Sequence, residues 1–79
     1  MDIKCNCGNV LDDKDITFEN LTHTPETNPM VNEEVKEFII TSKCQACGTM
    51  FSYTDLGVCM DLEDAKSKLI TQDFGLVEF

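Results

Sequence analysis

Seventy-nine residues allow one small domain, and a chain this short buries too little of its unfolded surface for a hydrophobic core alone to stabilise it well. Fifteen Asp and Glu face six basic residues, a formal net charge of -9, and every basic residue is a lysine. That balance argues against direct nucleic-acid binding: no basic footprint exists for phosphate, and no arginine fork for guanine edges.

No apolar run approaches the about 20 residues of a membrane span. The opening Met1-Asp2-Ile3-Lys4 has no basic segment followed by an apolar stretch, so a cytoplasmic location is expected. In that reducing compartment, paired cysteines serve metal ions more often than disulfides. An odd total of five cysteines also fits poorly with a closed disulfide framework.

The chain contains one internal echo. Lys4-Cys5-Asn6-Cys7-Gly8-Asn9-Val10-Leu11 is matched by Lys43-Cys44-Gln45-Ala46-Cys47-Gly48-Thr49-Met50-Phe51. Each copy runs Lys, Cys, spacer, Cys, Gly, one polar residue and two apolar ones. After the first copy, residues 11–15 read as an acidic turn, and residues 16–21 have strand composition with Ile16 and Phe18 on one face. Thr22 to Glu34 holds Pro25, Pro29, Asn28 and Asn32 among threonines, the chemistry of a loop.

Residues 35–42 form the clearest strand, β-branched and partly alternating, and lead directly into the second cysteine pair. Residues 50–54 read as a third strand, closed by Asp55-Leu56-Gly57. The period then changes. Leu62, Ala65, Leu69 and Ile70 recur at helical spacing over residues 61–72, with Asp61 as N-cap, Glu63 and Asp64 in the first turn, and Gly75 as a stop. Met60 and Ala65 stand at the positions of a hydrophobic staple. Residues 74–79 are an apolar tail with no assigned structure. The expected fold is small α+β, a three-stranded antiparallel sheet with a C-terminal helix. One domain spans residues 1–79, with knuckles and sheet over 3–56 and helix and tail over 61–79.

The cysteines carry the chemistry. Two cysteines two or three positions apart can present both sulfurs to one ion from a tight turn, and two such turns complete a tetrahedral shell. The glycine after each pair takes positive φ cheaply, which lets the chain reverse and aim its amides at the sulfurs. The predicted metal ligands are Cys5, Cys7, Cys44 and Cys47 around one structural Zn2+. Cys59 is expected to pack at the helix start, and His23 to sit in the loop.

Cys-x-Cys-Gly, followed after 36 residues by Cys-x-x-Cys-Gly, resembles the zinc ribbon superfamily over about residues 3–56. That resemblance implies two knuckles clamping one zinc beside a small antiparallel sheet. Two features depart from it: a first pair with one intervening residue and a long inter-knuckle segment. The knuckles also resemble those of rubredoxins, which implies iron and electron transfer. The aromatic content is low for such a core, with five Phe, one Tyr and no Trp.

A four-cysteine shell leaves no open position for a catalytic water, and one histidine supplies little acid-base machinery, so no enzymatic activity is expected. Glu33-Glu34 resembles the acidic hairpin tips of polymerase-associated zinc ribbons, although a solvated loop end is the simpler reading. The expected role is a protein-interaction regulator or adaptor whose acidic surface meets a basic partner, one version being mimicry of nucleic acid toward a nucleic-acid-binding protein. The alternative is a transcription- or translation-associated ribbon that touches nucleic acid through Lys4 and Lys43 inside an assembly.

Overall fold

Residues 2–78 are described by a computed structural model; Met1 and Phe79, the ends of the opening and of the apolar tail, lie outside them. The elements in order are β1 (Ile3–Lys4), a 3-10 turn (Asp13–Asp15), β2 (Ile16–His23), β3 (Val35–Lys43), β4 (Met50–Leu56), α1 (Leu62–Ile70) and β5 (Val77–Glu78).

Strands β2, β3 and β4 form an antiparallel sheet in that order. Its two faces follow from the period of two. On one side stand Ile16, Phe18, Phe38, Ile40, Ser42, Phe51 and Tyr53, in register as Phe18↔Ile40↔Tyr53 and Ile16↔Ser42↔Phe51. This side is the core face, where Phe38, Ile40 and Phe51 are buried and Phe38 meets Tyr53 edge-on at 5.7 Å. The opposite face carries Thr17, Glu19, Leu21, Ile39, Thr41, Ser52 and Thr54, a mixture that water tolerates.

Helix α1 begins where the sequence places it. The Asp61 side chain accepts from the Asp64 amide at 2.9 Å, while Asp64 accepts from the Met60 amide at 2.9 Å and from Lys68 Nζ at 2.7 Å. This reciprocal cap reaches one residue wider than a capping box, and it replaces the expected staple, because Met60 is left 77% exposed. The helix stops at Ile70 with Thr71 as C-cap, earlier than residue 72. Gly75, at φ 82°, instead turns the following chain back toward the first knuckle, close against the Asn6 side chain.

That turn brings in an element the sequence leaves unassigned. Strand β5 pairs antiparallel with β1, Ile3↔Glu78 and Lys4↔Val77, and Lys4 also bridges Val10. Leu76 thereby enters the core beside Ile3 and Leu11, and Phe74 meets Phe51 at 5.6 Å. The tail closes the N-terminal end of the molecule.

Two polar devices lock helix and linker in place. The Asn20 side chain on edge strand β2 donates to the Cys59 carbonyl and accepts from the Cys59 amide, both at 2.8 Å. Lys66, only 3% exposed, pairs with Asp13 in the 3-10 turn and with Glu63 at 3.7 Å. The Asp13 carboxylate raises the pKa of Lys66, so the ammonium stays charged inside the fold.

Asn20→Ala leaves two backbone groups of Cys59 unmatched, and about 2 kcal/mol of stability is expected to go. Asp61→Ala is expected to cost about 1 kcal/mol as an N-cap loss. Denaturant titration of the metal-loaded protein checks both, and no change in midpoint for Asn20→Ala would contradict the lock. The Lys68 ammonium and the Met60 amide hold the Asp64 carboxyl below its ordinary pKa. Its contribution is therefore present above the unfolded value of about 3.9 and is lost as pH falls through the folded value. The stability gap between wild type and Asp64→Asn should accordingly narrow below about pH 4.

Candidate metal centre

The two cysteine turns share one hydrogen-bond plan. In the first, the Cys5 amide donates to the Asn9 carbonyl and the Gly8 amide to the Cys5 carbonyl, each at 2.9 Å. In the second, the Cys44 amide donates to the Thr49 carbonyl at 2.9 Å and the Gly48 amide to the Cys44 carbonyl at 2.8 Å. Ala46 is the extra residue that widens the second turn. Gly8 and Gly48 lie at φ 95° and 74°, and a Cβ at either would meet nothing within 4 Å. The demand for glycine there is conformational and owes nothing to crowding.

The topology carries these turns to one place. The first caps the β1–Val10 hairpin, and the second joins β3 to β4. Cys5 and Cys47 sulfurs lie 3.7 Å apart, and Cys7 and Cys44 sulfurs 3.5 Å apart. All four sulfurs fall within 4.8 Å of one another. Each close pair takes one member from each turn, so the two knuckles interlock. A tetrahedral ion with metal–sulfur bonds of about 2.3 Å needs sulfur–sulfur edges of about 3.8 Å. The donor set and its spacing fit such an ion.

Surrounding groups favour thiolates at this point. The Cys44 thiol is pulled down to about 6, first by the Cys47 amide, then by the neighbouring thiols and the Ala46 amide against the opposing effect of burial. The Asn9 side chain adds an N–H at 3.6 Å from the Cys44 sulfur. Cys47 is lowered by the Thr49 hydroxyl, 3.1 Å from its sulfur, and by the Thr49 amide. Cys7 also receives an amide, from Asn9, which lowers it. The crowding of Cys44, Cys5 and Cys47, with partial desolvation, outweighs that and pushes it up to about 11. Four sulfurs this close cannot all be anionic without a cation among them, and a divalent ion removes that conflict.

Asn9 and Thr49 thus belong to the site. They are the polar residue that follows glycine in each copy of the echo, where sequence shows polarity but not the sulfur each one faces. Cys5 and Cys44 are buried and continuous with the core, whereas Cys7 and Cys47 are exposed. The cluster therefore sits at the edge of the core between the β1–β5 pair and the three-stranded sheet.

The remaining candidates lie elsewhere. Cys59 is buried at the helix start with its pKa raised, chiefly by burial, and is outside the cluster. His23 is not in a loop: β2 runs two residues further than its composition suggests, pairing Thr22 with Lys36 and His23 with Val35. Its Nε2 stands 3.4 Å from Glu37 Oε1 on the neighbouring strand. Glu33 and Glu34 are exposed in the β2–β3 connection and not in the hairpin that carries the second knuckle.

Comparisons with known protein families, with curated proteins and with solved structures find no match.

Cys44→Ser is expected to abolish stoichiometric metal binding and to collapse the dispersed NMR spectrum, because ligation and folding are coupled in such sites. Cys59→Ala is expected to retain one metal per chain. A Cys59→Ala protein that lost its metal would place that sulfur in the shell.

Proposed function

We propose that this chain is a non-catalytic, zinc ribbon-like domain in which one Zn2+, held by Cys5, Cys7, Cys44 and Cys47, staples the fold. The supporting observation is the convergence of four sulfurs from two separate turns to within 4.8 Å. Four protein ligands close a tetrahedral shell, so the ion serves structure and leaves no position for substrate. Zinc is preferred to iron because thiolate shells suit it without redox demands. An iron carrier of the rubredoxin kind is the competing reading that the same four sulfurs would serve.

The working surface, in this reading, is acidic and meets a basic protein partner. Among the described residues, Lys14 pairs with Asp12, Lys66 with Asp13 and Glu63, and Lys68 with Asp64. Glu19, Glu26, Glu33 and Glu34 are exposed, three of them in the connection between β2 and β3. This surplus negative charge steers a basic protein and repels nucleic acid. Exposed carboxylates of this kind contribute to solubility in any setting, so the partner is the part to test.

Elemental analysis of protein purified without added metal is expected to give one zinc per chain and a colourless solution. Iron with visible absorption would favour the carrier. A bound partner should be released as salt rises, and the triple variant E26Q/E33Q/E34Q should capture less of it. Capture indifferent to both would contradict an acidic recognition surface.

A further inference from the structure

The two edges of the main sheet differ. Helix α1 and the linker fastened by Asn20 lie along β2, whereas no described element pairs with the outer side of β4. The hydrogen bonds from the Gly57 amide to the Lys36 carbonyl and from the Cys44 amide to the Thr49 carbonyl fix which residues of β4 face inward. Odd-numbered residues bond to β3, so Met50, Ser52, Thr54 and Leu56 point their amides and carbonyls outward. Their side chains stand on the uncovered face of the sheet, and Met50 and Leu56 are 66% and 67% exposed.

An edge of this kind normally carries a lysine, a proline or a bulge that prevents pairing with another chain. Residues 50–56 carry none of these. The strand holds one charge, Asp55, whose carboxylate turns to the other face and is occupied by the Tyr53 hydroxyl at 2.7 Å and the Leu56 amide at 2.8 Å. In a molecule of net charge -9, β4 carries one charge in seven residues, which limits the repulsion that a second copy meets there.

The strand is also self-complementary about Tyr53. In an antiparallel pairing of two copies around a two-fold axis there, Ser52 stands opposite Thr54 of the second copy, and Met50 opposite its Leu56. All four residues are the outward-facing ones, so the register satisfies the hydrogen-bonding pattern without a bulge. It also sets the two exposed apolar side chains against each other as cross-strand pairs. The Asp55 contact to the Leu56 amide occupies a donor at each end of this ladder, but the central Ser52–Thr54 bonds do not involve it.

We infer that β4 is a homodimerisation edge, pairing antiparallel with β4 of a second copy about Tyr53 to build a continuous six-stranded sheet. This is independent of the acidic-partner reading and makes the opposite salt dependence. Two copies of the same negative sign associate more tightly as salt screens them, whereas an acidic–basic complex weakens.

Sedimentation velocity of the metal-loaded protein in reductant, from about 10 µM to about 1 mM, spans the range expected of a small interface. Twice the monomer mass is expected at the upper end, with the dimer fraction rising with salt. Thr54→Pro removes an outward amide, and Thr54→Lys places a charge on the edge; each is expected to remain monomeric while keeping one metal per chain. The lysine variant decides the matter if the proline variant fails to fold. Wild type that stays monomeric throughout, or a dimer that Thr54→Lys leaves intact, would overturn the inference.

Discussion

Four sulfurs brought to within 4.8 Å by two turns far apart in sequence set the terms for the rest of this molecule. Backbone amides draw Cys44 toward the thiolate and the Thr49 hydroxyl draws Cys47, yet the crowding of the sulfurs opposes a fourfold negative charge. The conflict disappears when one divalent ion occupies the centre, so the folded arrangement and the cation are thermodynamically linked. Cys5 and Cys44 belong at once to this cluster and to the hydrophobic core, so an ion bound there would tie the two together.

The architecture is one that a metal staple would reinforce. The β1–β5 pair has two residues per strand, too few to persist alone, and the main sheet has three strands with one covered face. The Asn9 side chain crosses between the two parts to the Cys44 sulfur, and two further ties meet at the 3-10 turn between them, Lys66 to Asp13 and Gln45 to Asp15 at 3.1 Å. Most of these cross at or near the knuckles. A metal at the same junction would convert several weak, partly exposed contacts into one cooperative connection. The β2–β3 connection, with Glu26, Glu33 and Glu34 exposed, lies at the other end of the sheet from that junction, whereas β4 runs out from it with no described element paired to its outer side.

The features legible in the sequence were those encoded locally. The repeated Lys-Cys-spacer-Cys-Gly unit marks both turns, because the glycine needs of the backbone and the spacing of the sulfurs are local properties. β-Branched alternation marks β2 to β4, and Asp61 marks the helix start. The misses are tertiary. Strand β5 exists only because β1 offers it an edge, and two residues carry no period. His23 has loop-like neighbours but is held in strand by Val35 across the ladder. Lys66 shares the helix face of Leu62, Ala65 and Leu69, and only the fold reveals Asp13 as its partner. The zinc ribbon resemblance conveys the knuckles and the antiparallel sheet, but it is silent on the helix lock at Asn20 and on the C-terminal strand.

X-ray absorption at the metal edge of the purified protein reads the sulfur shell itself. The edge energy identifies the ion, and the first shell counts its donors. Zinc with four sulfurs at about 2.3 Å and no lighter ligand is expected. A shell containing nitrogen or oxygen, or fewer than four sulfurs, would contradict a closed staple made by Cys5, Cys7, Cys44 and Cys47.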